Sequence, residues 1–469
     1  MADAPLILWF RRDLRVSDHP MLAAAVASGR PLLPVFILDP ETEALGAAAK
    51  WRLGLALDHF AAVLAGLGAP LVLRRGTALT VLQGLVDQTG AMGVWWSRLY
   101  DSAAVARDTA VKAALKAAGK QARSFAGHLL HEPWEVQTGS GTEYKVYTPF
   151  WNAVRGRDVA APSPAPKALR AAGRVVSDRL MDWQMGAAMR CGAAVMAPHQ
   201  TVGEAAARDR LAAFLAGPVQ RYREDRNTPA LDATSGLSEN LTYGEIGVRE
   251  VWHAGMQARD TGAAGAEHFL KEVVWREFAY HLLHHFPKLA ETSWKPGWQD
   301  FGWQGDSADA ERWRRGMTGE PLVDAGLREM YVTGRMHNRV RMVVASYLTK
   351  HLMTHWRIGL EWFADCLTDW DPAANAMGWQ WVAGCGPDAA PYFRVFNPEG
   401  QAEKFDPDAT YRHRWLAELS RHPGPLALSY FDAVPRSWGL DATSAYPARM
   451  IALADGRARA LAAYGARKI

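Results

Sequence analysis

The chain is short of cysteine, of long apolar runs and of excess charge, and each shortage removes a class of protein. Cysteine occurs three times in 469 residues, at Cys191, Cys366 and Cys385. They stand far apart, in no metal-ligand spacing and no disulfide framework, so neither a structural zinc nor an iron–sulfur cluster is expected, and no metal at all. The apolar runs are brief and broken by Arg, Asp, Gly or Pro, which argues against a membrane-spanning helix. The stretch Met1–Arg15 puts no basic segment ahead of its apolar run, so no secretory signal is expected and the cytoplasm is the expected compartment. A net charge of +4 permits nucleic-acid binding without announcing it, because a local patch matters more than the total. Internal repeats and low-complexity tails are missing. So is a GxGxxG after the first apolar run, the usual dinucleotide fingerprint.

What is present divides into two textures. Hydrophobic residues make up 49% and charged residues 22%, ordinary for a globular chain with room for two domains. The first 130 residues alternate apolar runs with Ala- and Leu-rich stretches. Leu6–Phe10, Pro31–Leu38, Pro70–Arg74, Gly93–Leu99 and Ala122–Leu130 read as buried strands, and Met21–Ala27, Arg52–Leu64 and Ala103–Ala118 as helices. That alternation predicts an α/β domain with a doubly wound parallel sheet over 1–130. A long linker follows over 131–200, with Pro- and Ala-rich sequence at Ala160–Ala172. From 201 to 469 the pattern is all-α, with long amphipathic helices expected at Gly265–Phe286 and Met336–Trp356. Most of the twenty tryptophans fall from Trp252 onward, as a large helical core would also require.

Several segments carry groups suited to chemistry. Asp232–Glu245 gathers hydroxyls and backbone N–H groups around Gly236 like a phosphate cradle. Its Thr242 and Glu245 form a capping-box pattern that would open a helix, and a plain polar loop before a helix would read the same way. Glu272, Trp275 and Arg276 share a helical stripe that suits hydrogen bonding, stacking and phosphate contact, or a salt-bridged surface with a half-buried indole. Asn338 and Met342 lie one turn apart beside Arg339 and Arg341. Asp369–Trp381 packs two acids, an Asn, a Gly and three indoles into thirteen residues, a combination a core helix rarely needs.

Taken in order, WFRRDLRVSDHP (Trp9–Pro20), YKVYTPFW (Tyr144–Trp151), TSGLS (Thr234–Ser238), EVVWREFAYH (Glu272–His281), MHNRVRM (Met336–Met342), NAMGWQW (Asn375–Trp381) and DAAPYFRVFNP (Asp388–Pro398) closely resemble the photolyase/cryptochrome family. The resemblance spans nearly the whole chain. It implies an α/β antenna domain, a long linker and an all-α domain that binds FAD. Tyr222, Arg226, Thr234, Ser235, Gly236, Leu237 and Ser238 would then hold the flavin phosphates and ribitol, and Phe269 would line the same cavity. Asp369 to Asp371, with Asp369 and Asp371 at its ends, would border the isoalloxazine, with Arg341 and Asp369 as a buried ion pair. Asn375 would stand beside the flavin's central ring, where a neutral amide tolerates a reduced anion better than a carboxylate would.

The branch implied is that of class I cyclobutane pyrimidine dimer photolyases, acting on dimer-containing DNA. Glu272 and Asn338 would hydrogen-bond the dimer, with Trp275, Met342 and Trp381 forming its walls. Arg276, Arg339, Arg394 and Gln401 would meet the DNA. Trp303, Trp356 and Trp379 resemble the family's tryptophan chain for flavin reduction. The alternative implied by the same resemblance is a cryptochrome-type photoreceptor. In the segment Tyr100–Asp108, Ala103 and Ala104 replace the Asn-Glu pair of folate-binding relatives, so folate is not expected; a deazaflavin, a second flavin or no antenna stays open. A monomer is expected.

Overall fold

The strands β1 (Leu6–Phe10), β2 (Leu32–Leu38), β3 (Val72–Arg75), β4 (Gly93–Ser97) and β5 (Gln121–Phe125) pair in parallel in the order β3-β2-β1-β4-β5. They belong to a computed structural model that describes residues 4–388, 392 and 394–467. β1 and β2 are buried along their whole length because helices cover both faces of the sheet, which is why both read as unbroken apolar runs. Leu6, Leu8 and Phe10 pack to one side and Ile7 and Trp9 to the other. The edge strand β5 ends at Phe125, short of the expected Leu130. At Gly127, with φ +139°, the chain leaves the sheet for the helical half. The carboxyl ends of β1, β2 and β4 carry a closed ion network: Asp108 pairs Arg11 at 2.9 Å and Arg107 at 3.0 Å, and Arg107 reaches Asp39 at 2.7 Å.

Two helical segments place the chemistry. Ala266–His285 is one helix, apolar on most sides because it runs through the core. The helix expected over Met336–Trp356 is broken instead. An α-helix spans Asn338–Ser346, widens into a π turn over Tyr347–His351, and stops where Met353 turns left-handed at φ +57°. A new helix, Trp356–Cys366, begins under the cap of His355, and Asp371 caps Pro372–Ala383. The periodicity runs through the break because the residues on both sides of it are buried.

The halves interlock through buried polar contacts. Arg52, on the helix Ala47–Gly66, donates to both oxygens of Glu245 at 3.1 and 2.7 Å, with the two side chains 0% and 1% exposed. Tyr243 Oη donates to the carbonyls of Ala49 and Thr368, and Glu204 accepts the N–H groups of Val16 and Ser17. Thr242 and Glu245 therefore do not open a helix. Thr242 closes the short helix Ser238–Thr242, and the next helix starts at Val248. Glu245 was free to resemble a capping acid only while Arg52 was out of sight.

Candidate active site

A cleft of about 840 Å³ opens in the helical half, a size that suits a large cofactor. Tyr222, Arg226, Thr234, Ser235, Gly236, Leu237, Ser238, Glu272, Asn338, Arg341 and Asp369 line it. Tyr222 and Arg226 lie on and just past a single helical turn, with the guanidinium 5.4 Å from the ring. Gly236 takes φ +60°, and a Cβ there would come within 3.1 Å of Arg210, so the turn Thr234–Ser238 needs glycine. Arg210 donates to the Gly236 carbonyl and fixes the turn from behind. Hydroxyls, backbone groups and guanidinium ions thus converge on one wall, a donor set that fits the pyrophosphate and ribitol of FAD.

Glu272 pairs with Arg226 at the mouth of the cleft, with His268 4.0 Å away. Arg341 donates to both oxygens of Asp369 at 3.0 and 2.8 Å and, through Nε, to the Met336 carbonyl at 2.8 Å. His337 caps the helix that carries Asn338. Its burial, together with Arg226, Arg339 and Arg341, pushes its pKa down to about 4, so the ring is neutral at physiological pH. Burial likewise raises the pKa of Tyr222, which keeps its phenol protonated.

A smaller hollow of about 180 Å³ shares Asn338, Arg341 and Asp369 with the cleft and adds Met342, Trp370, Asp371, Asn375 and Trp379. Asp371 accepts the N–H groups of Ala373 and Ala374 at 3.0 and 2.9 Å and a hydrogen bond from Tyr280 Oη. Asn375, one turn on, donates from Nδ2 to the Leu360 carbonyl at 3.0 Å. That single bond sets the orientation of an amide facing the hollow.

Other residues named from the sequence, Trp379 excepted, lie outside both spaces. Phe269 is buried 4.8 Å from Phe214 and supports the wall from behind. Trp275 stacks on Tyr147 with centroids 3.7 Å apart and planes 6° from parallel. Arg276 turns toward the sheet domain and donates to the His128 carbonyl and ring, both at 2.8 Å. Arg339 holds Asn227 at 2.8 Å, Trp381 is half-buried against the core, Arg394 is exposed and Gln401 is half-buried. Trp303 lies 5.8 Å from His355, whose ring lies 5.5 Å from buried Trp356. One turn further on, Gly359 leaves room for Trp379, whose ring a Cβ would strike. On the helix Ser102–Ala117, Ala103 is exposed and Ala104 buried. Of the segment Asp388–Pro398, Ala389, Ala390, Pro391 and Phe393 lie outside the described residues.

Sequence reasoning missed Arg210, Glu329, Arg335 and Arg414 in these walls. Arg210 sits in the helix Glu204–Ala216, and no local signal marks it.

Comparison with known proteins agrees with this geometry. The family described as DNA photolyase matches residues 6–167, and the FAD binding domain of DNA photolyase matches 269–466. A deoxyribodipyrimidine photo-lyase of Agrobacterium fabrum is 45% identical over 99% of this chain and 98% of its own length. The crystal structure of a class III photolyase from Agrobacterium tumefaciens superposes with a TM-score of 0.91 at 44% identity, covering 99% of this chain and 98% of that one. An archaeal photolyase from Sulfolobus tokodaii, solved with two FAD molecules, matches with a TM-score of 0.80 at 26% identity over 98% and 99% of the two chains. The class I expectation is overturned, because the solved structure that matches over nearly the whole chain is that of a class III photolyase.

Proposed function

Since the chain belongs to the photolyase/cryptochrome family, we propose that it repairs cyclobutane pyrimidine dimers in DNA, using light and FAD. The observation that carries the reading is the shared wall: Asn338 and Arg341 line both the cleft and the hollow, and Asn338 is exposed at the mouth. A base brought to that mouth meets Asn338 and Glu272, and lies next to the space suited to the flavin.

The dimer must leave the duplex, which costs less than for a sound pair because stacking and pairing are already weakened. Trp275, held flat by Tyr147, and Trp381 offer stacking surfaces, each contributing about 1–3 kcal/mol. Arg339 and Arg394 meet the backbone phosphates. Reduced FAD, when bound, supplies the single electron that opens the ring and receives it back. Arg226 positions the Glu272 carboxylate at the mouth, where it accepts hydrogen bonds from base N–H groups. Asn375 presents an uncharged amide where a carboxylate would oppose negative charge, and Asp369 holds Arg341 in place beside it.

Among the described residues no helix is long and apolar enough to cross a membrane. The reading places a monomer in the cytoplasm, and three free thiols agree with a reducing compartment. Binding of a duplex with one thymine dimer, against the same duplex undamaged, tests it. Two stacked bases give a preference of roughly a hundredfold or more. Equal affinity for the two would remove the DNA-repair reading.

A further inference from the structure

The π turn Tyr347–His351 lies outside the cleft and has no part in the chemistry above, yet it places two nitrogen-bearing side chains on one backbone segment. Lys350 is 2% exposed, and its Nζ donates to the Arg394 carbonyl at 2.9 Å. His351, the next residue, meets the Phe396 carbonyl through Nε2 at 3.0 Å. Ser346, the residue before the turn, accepts the Phe396 N–H at 3.3 Å. In a regular helix neighbouring residues point about 100° apart, and the wider turn opens the helix where these side chains leave it.

Burying an ammonium ion is costly unless it is paired, and Lys350 has no carboxylate partner among the described residues; burial, with Arg394 nearby, lowers its pKa to about 7. Its contacts are a backbone carbonyl and the Tyr392 ring, 5.3 Å from Nζ. A hydrophobic side chain would fill the same space without that cost, so the amine serves the carbonyl it holds. The far side of the turn is fixed as well. Arg459 donates to the His351 carbonyl, and Gly456 lies so close that a Cβ would come within 2.6 Å of the His351 ring. The C-terminal helix Leu453–Gly465, the π turn and the Arg394–Phe396 backbone are thus bonded in series.

We propose that Ser346, Lys350 and His351 form a clamp that positions Arg394 for the DNA backbone, with Lys350 as its principal positioning residue. The proposal rests on the reading of Arg394 as a DNA contact. The clamp acts on duplex binding and leaves the flavin and the lesion pocket as they are. Its signature is therefore a separation of substrates: a lesion in a duplex needs Arg394, and a free thymine-dimer dinucleotide does not.

The experiment compares flavin-loaded wild type, Lys350→Met, Arg394→Ala and the double variant. Each is measured for affinity toward a duplex bearing one thymine dimer and for repair of the free dinucleotide. Loss of one positioning hydrogen bond corresponds to roughly fivefold to tenfold weaker duplex binding for Lys350→Met. Dinucleotide repair is expected to stay unchanged, and the double variant to bind no more weakly than Arg394→Ala alone. Lys350→Arg, which keeps a donor, is expected to recover most of the affinity. Multiplying losses in the double variant, or an equal loss on dinucleotide and duplex, would overturn the clamp. Loss of affinity in Arg394→Ala with none in Lys350→Met would overturn the clamp while keeping the DNA contact. Unchanged duplex affinity in Arg394→Ala would overturn the contact and the clamp together. Should Lys350→Met not load flavin, Ser346→Ala removes the acceptor of the Phe396 N–H and takes its place in the same cycle.

Discussion

Removal of Glu245 is expected to loosen the whole chain, because it strands a guanidinium ion between the two halves. Arg52 meets the carboxylate through both terminal nitrogens, and neither side chain reaches solvent. At an effective dielectric of about 20, opposite charges about 4 Å apart attract by about 4 kcal/mol. Breaking a buried pair from one side costs about 3–5 kcal/mol, since the survivor keeps its desolvation without its partner. The Thr201 carbonyl, 2.8 Å from Arg52 Nη2, still satisfies one donor and holds the expected loss for Glu245→Leu near the lower bound, about 3 kcal/mol. For a chain of 469 residues that corresponds to a melting point lower by roughly 3 °C. The double variant Arg52→Met/Glu245→Leu removes both charges and is expected to regain more than half of the loss. Thermal unfolding followed by release of flavin fluorescence measures all three proteins. A Glu245→Leu variant that melts with wild type, or a double variant worse than the single, would refute the argument that this buried pair joins the halves.

Other consequences are open to direct measurement. Trp275→Ala is expected to weaken dimer-DNA binding roughly tenfold while FAD stays bound, read by titration of the holoprotein; undiminished affinity would make the Trp275–Tyr147 stack purely structural. Trp356→Phe is expected to slow light-driven reduction of oxidised flavin and to leave repair by chemically reduced protein intact, since His355 links the indole to Trp303 and Trp356 lines neither the cleft nor the hollow. His337 titrates near 4 when folded and near 6.5 when unfolded, so between those values the unfolded chain binds the extra proton. Stability therefore falls as pH drops through that window, and His337→Asn is expected to make the fall shallower, buried His281 and His128 carrying part of what remains; an unaltered slope would contradict the assignment.

How legible the molecule was depended on whether a feature is local. The runs Leu6–Phe10 and Leu32–Leu38 betray a parallel sheet because both faces are buried, and burial leaves no polar residue in the run. The cleft was legible where one turn carries several donors, as at Thr234–Ser238. It was illegible where a distant side chain completes it. Arg210 reaches Gly236 from another helix, and nothing in its own segment announces that contact. The same limit explains Thr242 and Glu245, whose spacing suits a cap while the actual partner of Glu245 lies in the other half. The stripe Glu272–Trp275–Arg276 was legible as a stripe. Its division among Arg226, Tyr147 and His128 required three elements that come together only on folding. The π turn escaped because hydrophobic period alone cannot register one wide turn between buried segments.

The central claim is tested most directly by illuminating the reduced, flavin-loaded protein with blue light in the presence of an oligonucleotide bearing a single thymine dimer, against a dark control. The account expects intact thymines to reappear in the light and none in the dark. Bound flavin with the dimer unchanged after illumination would contradict it, and would favour a light sensor on the same scaffold.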